Sequence, residues 1–233
     1  MGMGEDTIHE RLTGVRVRID EACARVGRDP NDVVMVAVSK RFGPEVVREA
    51  YDCGLTVLGE NRVQEAVQKA SLSPGDIEWH LVGHLQRNKV RPAVGLFSMI
   101  HSVDSWELLA SIDAACGAAG KTMPVTLEVN VSGEGSKFGF TPEKAEDTLR
   151  MSSGLVHVDI VGLMTMPPFA PDPEDARVHF RHLRELRDTW QETTGIDLPG
   201  LSMGMSHDFE VAIEEGATWI RLGTILFGSR SGR

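Results

Sequence analysis

The sequence predicts an α/β protein that forms a single (β/α)8 TIM barrel, with one extra helix before the first strand. Eight short apolar, β-branched runs recur along the chain, and amphipathic segments with helical spacing separate them. The length of 233 residues also suits one barrel with nothing appended. We therefore expect residues 1–233 to form one barrel domain.

The predicted strands are the eight apolar runs. Several are almost continuously hydrophobic, as in the run VVMVAV at 33–38. Such runs are typical of strands that are buried on both faces of a parallel sheet. The predicted strands cover residues 33–38, 55–58, 77–82, 98–103, 125–131, 158–164, 200–203 and 218–222.

The predicted helices lie between these strands, after a first helix over 6–26. They cover residues 44–53, 60–70, 105–119, 142–152, 174–193 and 207–215. Thr141-Pro142 has the N-cap residue and the following proline that begin many helices, and glycines such as Gly120 stand where helices should end. The alternative fold is an open doubly wound sheet. A GxGxxG fingerprint after the first strand would favour it, but that strand ends in Ser39-Lys40.

Composition excludes several classes of partner. Asp and Glu number 34 against 24 Lys and Arg, a formal net charge of −10. This balance argues against nucleic acid and anionic membranes, which attract clustered positive charge. No apolar run approaches the ~18 residues of a membrane span. Cys23, Cys53 and Cys116 form no CxxC pair, so we expect neither a metal site nor a disulfide framework, and we expect a reducing, cytoplasmic location.

Small polar residues follow the seventh and eighth predicted strands. Ser206 ends the loop SMGMS and is placed to cap the next helix, and Gly223-Thr224 follows the last strand. In (β/α)8 barrels the loops after strands 7 and 8 are a frequent phosphate site, built from free backbone amides. The alternative is that the glycine only forms a turn and the serine is only a cap.

Lys40 directly follows the first apolar strand, so it should project into the barrel mouth. A partly desolvated lysine there can attack an aldehyde to form a Schiff base. The alternative is an ordinary surface lysine, which is the commoner position for this residue type. Together with a phosphate site across the same mouth, Lys40 would complete a pocket for a phosphorylated aldehyde.

Long stretches of the sequence are similar to one known family. They include AVSKRF, LGENRVQEA, WHLVGHLQRNKV, IHSVDS, EVNVSGEGSKFGF, VGLMTMPP and LSMGMSHDFEVAIEEGATWIRLGTILFGSR, in this order over about 33–230. Together they resemble the pyridoxal phosphate homeostasis proteins, the proline synthetase co-transcribed family. The resemblance implies a fold-type III barrel like the N-terminal domain of alanine racemase, with pyridoxal 5′-phosphate (PLP) as its cofactor.

The same resemblance implies a role for six residues. Lys40 matches the lysine that holds PLP as a Schiff base, and Arg221 matches the arginine that faces the pyridine nitrogen. In this family the phosphate is bound at the positions that match Ser206, Gly223 and Thr224. Asn61 lies in a family motif at the pocket rim. Two features stay open: His84 either reaches the pocket mouth or is a buried or capping residue, and the proline-rich stretch 167–173 is expected to cover the mouth as a surface loop.

These residues favour a protein that holds PLP over an enzyme that uses it. An arginine at the pyridine nitrogen would leave that nitrogen unprotonated and weaken the ring as an electron sink. A racemase also needs a second acid/base, which is a tyrosine in alanine racemases, and the sole tyrosine here is Tyr51, far from any strand end. We expect no catalytic residue, a monomer, and PLP-accepting apoenzymes as partners. The alternatives are an amino-acid racemase-like enzyme and a sugar-phosphate barrel.

Overall fold

A computed structural model describes residues 7–133 and 138–228. Eight parallel strands form a closed barrel in chain order, and β8 pairs with β1 from Trp219 against Val34 to Leu222 against Ala37. The predicted barrel is therefore confirmed. The strands are β1 Val34–Val38, β2 Val57–Glu60, β3 Glu78–Leu81, β4 Met99–Val103, β5 Met123–Glu128, β6 Val158–Met164, β7 Gly200–Met205 and β8 Trp219–Leu222.

Helices surround this barrel. In the part of the chain that the structure describes they are α1 Ile8–Val26, α2 Pro44–Asp52, α3 Val63–Ala70, α4 Val90–Leu96, α5 Trp106–Ala119, α6 Pro142–Met151, α7 Arg177–Thr194, α8 Phe209–Glu214 and α9 Thr224–Phe227. Short 3-10 turns cover Pro30–Asp32, Arg87–Lys89, Ser152–Gly154 and Pro173–Ala176. Two of these helices, α4 and α9, lie outside the segments predicted from the sequence.

The extra N-terminal helix, α1, begins with a capping box. Thr7 Oγ1 accepts a hydrogen bond from the Glu10 amide at 3.2 Å, and the Thr7 amide donates to Glu10 Oε2 at 2.8 Å. The helix ends at Gly27, whose left-handed φ of 68° suits glycine. Arg18 fixes α1 against α8 through two hydrogen bonds to Glu210, at 3.2 and 2.8 Å.

The barrel interior contains polar residues as well as apolar ones. Val36, Val38 and Val82 form a small apolar cluster. His101 on β4 contacts Ser202 on β7 at 2.7 Å. Since β4 and β7 are not neighbours in the barrel, this contact crosses its interior.

Several predicted boundaries near the barrel mouth are wrong, such as the end of β5 at Glu128 instead of residue 131, and two of them concern the site. The helix expected from residue 60 begins at Val63, because Glu60 is the last residue of β2 and is fully buried. The strand expected to end at 203 continues to Met205. Gly204 has a φ of 88°, and a Cβ there would lie 2.5 Å from the Ala212 Cβ, so glycine allows α8 to pack closely on this strand end.

Candidate functional site

A cavity of about 250 Å³ opens at the C-terminal mouth of the barrel. The six residues predicted for the site all line it: Lys40, Asn61, Ser206, Arg221, Gly223 and Thr224. The rest of its wall is mostly apolar and comes from Val38, Val82, Met166, Met205 and His207. The structure therefore brings together residues from β1, β2, β7 and β8 that are up to 184 positions apart in the chain.

Backbone amides and one hydroxyl meet at one side of this cavity. Ser206 Oγ accepts hydrogen bonds from the amides of Gly223 at 3.1 Å and Ile225 at 3.4 Å. The predicted capping role of Ser206 is wrong, because the residue before α8 is Asp208. Asp208 accepts instead from the Met205 amide at 2.6 Å, which fixes the loop that carries Ser206. Two convergent amides beside hydroxyl groups suit an anionic oxygen.

Arg221 lies at the base of the cavity and is 4% exposed. Its guanidinium donates to Ser202 Oγ at 2.7 Å and to the Thr165 carbonyl at 2.9 Å. Burial lowers the pKa of Arg221 to about 10, against the opposing effect of Glu128 and Asp208. The residue stays charged at neutral pH and is held in one orientation at the cavity floor.

Two buried histidines continue from Arg221 into the barrel. His101 contacts Ser202 Oγ through Nδ1 at 2.7 Å and His80 Nδ1 through Nε2 at 3.0 Å. Burial lowers the pKa of His80 to about 4 and that of His101 well below its usual value. Both rings are thus neutral. Because Ser202 accepts from Arg221, its own hydrogen is available to His101, and this direction sets the tautomer of each ring.

Sequence reasoning missed this chain of hydrogen bonds. His80, His101 and Ser202 stand inside otherwise apolar strand runs, where the apolar pattern drew attention to the core. The available signal was a polar side chain within an apolar strand run. Strands of a parallel sheet are buried on both faces, so such a side chain needs a hydrogen-bond partner inside the protein.

Lys40 lines the same cavity from the turn after β1, the strand that pairs with β8. It is exposed, so the expectation of partial burial is wrong for this residue. It lines both the main cavity and a neighbouring one of about 210 Å³ that is formed with Arg41, Asn61, Arg62 and Glu65. The amine is therefore accessible both to a ligand in the barrel mouth and to solvent.

The two features left open at the rim have defined positions. His84 lies outside the main cavity, where its Nδ1 contacts Asp104 Oδ2 at 2.8 Å and its ring stacks on Phe138 with centroids 4.1 Å apart. The loop 167–173 reaches the mouth, because the Pro171 carbonyl lies 3.1 Å from His207 Nε2 and Phe169 packs on the same ring. Phe169 is itself 79% exposed.

Comparisons with known proteins identify the family. Residues 14–231 match the family described as "Alanine racemase, N-terminal domain". A pyridoxal phosphate homeostasis protein of Aquifex aeolicus is 49% identical over 222 residues, which cover 95% of this chain and 97% of that one. The chain belongs to the pyridoxal phosphate homeostasis protein family. The family resemblance of its motifs is thereby confirmed.

Solved structures of this family and of its fold agree with the barrel. PipY of Synechococcus elongatus, in a structure with PLP bound, is 38% identical with a TM-score of 0.85, over 95% of this chain and all of that one. An alanine racemase of Clostridium difficile has a TM-score of 0.76 at 15% identity, over 98% of this chain and 58% of the racemase. That second likeness shows a shared fold.

Other titratable groups lie near the mouth or away from it. Burial and the charge of Asp104 raise the pKa of Glu128 to about 7, and this carboxyl lines an adjoining cavity of about 330 Å³ with Met166 and Met205. Tyr51 lies on α2, where its hydroxyl donates to Asp76 at 2.7 Å, and it does not line the main cavity. Among the described residues no group of three or more His, Cys, Asp or Glu side chains is arranged to hold a metal ion.

Proposed function

We propose that this protein binds PLP in the cavity at the barrel mouth, as part of vitamin B6 homeostasis. One observation carries the proposal: an accessible amine, a buried guanidinium and convergent phosphate donors line a single cavity. PLP presents an aldehyde, a pyridine nitrogen and a phosphate, so this donor set fits each of its functional groups. The bound PLP of the 38% identical PipY supports the assignment.

Each residue would have one role. The amides of Gly223 and Ile225 would turn from Ser206 Oγ to the phosphate, and the hydroxyls of Ser206 and Thr224 would donate to it as well. Arg221, held by Ser202 and Thr165, would donate to the pyridine nitrogen. Asn61 would contact the ring edge at the rim. PLP supplies an electrophilic aldehyde, with which the Lys40 amine would form a Schiff base.

We propose that the protein holds PLP without using it as a catalyst. A guanidinium donor leaves the pyridine nitrogen without a proton, and this weakens the ring as an electron sink. Tyr51 is tied to Asp76 outside the cavity, so it is not available as the second acid/base of a racemase. Lys40 is exposed, which would let an incoming amine reach a reversible Schiff base.

The setting of the proposed function is a monomeric, cytoplasmic carrier that passes PLP to apoenzymes. Free cysteines such as Cys23, Cys53 and Cys116 are typical of proteins in a reducing compartment, which supports this location. Within the described residues no helix has both the length and the apolar character needed to span a membrane.

The absorption spectrum of the PLP-loaded protein tests the binding proposal. We expect a visible Schiff-base band in the wild type and in Lys144→Ala, which changes an exposed lysine on α6 as a matched control. The band should be absent in Lys40→Ala. A wild type without the band after PLP addition, or a Lys40→Ala variant that keeps it, would contradict the proposal and favour a sugar-phosphate barrel.

Turnover is tested separately with the loaded protein and L-amino acids in deuterated water. We expect no sustained exchange of the α-proton. Continuous exchange, proportional to protein concentration and lost in Lys40→Ala, would establish a racemase-like enzyme instead.

A further inference from the structure

A second lysine, Lys69 on α3, lies buried behind the turn that carries Lys40. Only 5% of Lys69 is exposed. Its ammonium donates to Glu60 Oε1 at 2.5 Å, to the Ser39 carbonyl at 2.8 Å and to Glu65 Oε1 at 2.9 Å. Three acceptors satisfy all three ammonium donors, which is the condition under which a buried lysine is tolerated.

The bonds of Lys69 reach both backbone neighbours of Lys40. On one side Lys69 binds the Ser39 carbonyl, and the Ser39 hydroxyl donates to the same Glu60 oxygen at 2.7 Å. On the other side Glu65 accepts from the Arg41 amide. The Lys40 side chain forms no hydrogen bond or ion pair with any described residue. The cluster of Lys69, Glu60 and Glu65, here called the Lys69 cluster, therefore fixes the turn and leaves the amine free.

The turn has a conformation that needs such support. Arg41 has a φ of 67° and is the non-glycine residue with a positive φ in the described ranges. Arginine rarely adopts this left-handed region, and it persists where surrounding bonds hold it. Two bonds hold the turn here: the Arg41 amide donates to Glu65, and the Phe42 amide donates to the Ser39 carbonyl at 3.0 Å.

The Lys69 cluster is also costly for the fold. Glu60 is fully buried, and its Oε2 has no hydrogen-bond partner among the described residues. Burial raises the pKa of Glu60, against the opposing bonds from Lys69 and Ser39. Well-packed apolar side chains are often as stabilising as a buried ion pair. The geometry that the charged cluster imposes on the Lys40 turn therefore explains its presence better than a contribution to stability does.

We propose that Lys69 is the positioning residue for Lys40, acting through Ser39 on one side and through Glu65 and Arg41 on the other. The inference rests on the proposed function, because it concerns the step in which the Lys40 amine and the PLP aldehyde form a Schiff base with loss of water. Lys69 lines neither the main cavity nor the neighbouring cavity beside Lys40. Its removal should therefore impair Schiff-base formation and spare the binding of the phosphate and the ring.

The test compares two ligands in Lys69→Met, which removes the ammonium and keeps a long apolar side chain. The first ligand is PLP, for which the rate of growth of the visible band is measured. The second is 4′-deoxypyridoxine 5′-phosphate, which has a methyl group in place of the aldehyde, and its dissociation constant is measured. We expect band formation to slow at least tenfold and the analogue affinity to stay within twofold. Lys144→Met, an exposed lysine on α6, should change neither.

A second variant keeps the hypothesis testable if Lys69→Met does not fold. Glu65 is only half-buried, so Glu65→Ala should fold, and it removes the acceptor of the Arg41 amide. With PLP we expect the visible band to form at least threefold more slowly, and we expect the affinity for the analogue to stay within twofold. Equal losses for both ligands in the variants, or no change for either, would overturn the positioning role. A wild type that forms no band at all would instead refute the proposed function.

Discussion

Ser206→Ala is the variant whose effects on stability and on binding can be worked out separately. Ser206 Oγ accepts two amide hydrogen bonds, at 3.1 and 3.4 Å. A neutral hydrogen bond contributes about 0.5–1.5 kcal/mol. Since the two amides border a cavity and can be hydrated after the change, we expect the free energy of unfolding to fall by about 1–2 kcal/mol. For a chain of this size that lowers Tm by about 2–8 °C.

The effect on PLP affinity should be smaller than the loss of a charged hydrogen bond suggests. One hydroxyl donor to a phosphate contributes about 1.5–3 kcal/mol. In the wild type, however, the amides of Gly223 and Ile225 must leave Ser206 before they bind the phosphate, and in Ser206→Ala this competition is gone. We expect a net loss of about 1 kcal/mol, a five- to tenfold rise in Kd.

The assays are thermal unfolding of the ligand-free variant and equilibrium dialysis with PLP. Thr224→Val is the matched comparison, because the Thr224 hydroxyl takes no part in the two bonds to Ser206 Oγ. It should weaken PLP binding by at least tenfold. An unchanged Tm in Ser206→Ala would refute the hydrogen bonds from the Gly223 and Ile225 amides to Ser206. An unchanged Kd in both variants would refute the phosphate site.

Two further predictions concern buried carboxyl groups. The folded pKa of Glu128, about 7, lies above the ordinary value of 4.5, so the folded state binds more protons and stability falls as pH rises from about 4.5 to 7. In denaturant titrations over this pH range, the free energy of unfolding of the wild type should fall by about 3 kcal/mol more than that of Glu128→Gln. Equal pH dependence of the two proteins would contradict the raised pKa. Glu215 is 3% exposed and pairs with Arg177, Arg181 and Arg184 at 2.9–3.1 Å. Because the three arginines are partly exposed and stay hydrated after the change, Glu215→Ala should lower the free energy of unfolding by about 1.5–3 kcal/mol. A loss below 1 kcal/mol in the same titration would show that this network contributes little.

The order of strands and helices could be predicted because it depends on local patterns. The sixth strand has the predicted bounds, since VDIVGLM is apolar and flanked by turn residues. The helix α4 escaped prediction because Pro92 and Gly95 lie within its seven residues and obscure the helical pattern. The helix α9 is only four residues long, too short for a period to be visible.

The residues that line the site could be predicted, whereas their hydrogen-bond partners could not. The barrel rule and the motifs indicate which residues stand at strand ends, and the structure brings all six into one cavity. Hydrogen-bond partners depend on tertiary packing, which no local pattern records. Ser206 therefore reaches amides 17 and 19 residues away instead of capping α8, and Lys69 reaches Ser39 across 30 residues.

We propose that Lys40 holds PLP, and chemical trapping can locate the lysine that does so. Borohydride reduces a Schiff base to a stable secondary amine, after which digestion and mass spectrometry locate the modified lysine. We expect one pyridoxyl phosphate group per chain, on Lys40. Modification of another lysine in its place, or no stable modification of PLP-saturated protein, would contradict a Schiff base at Lys40.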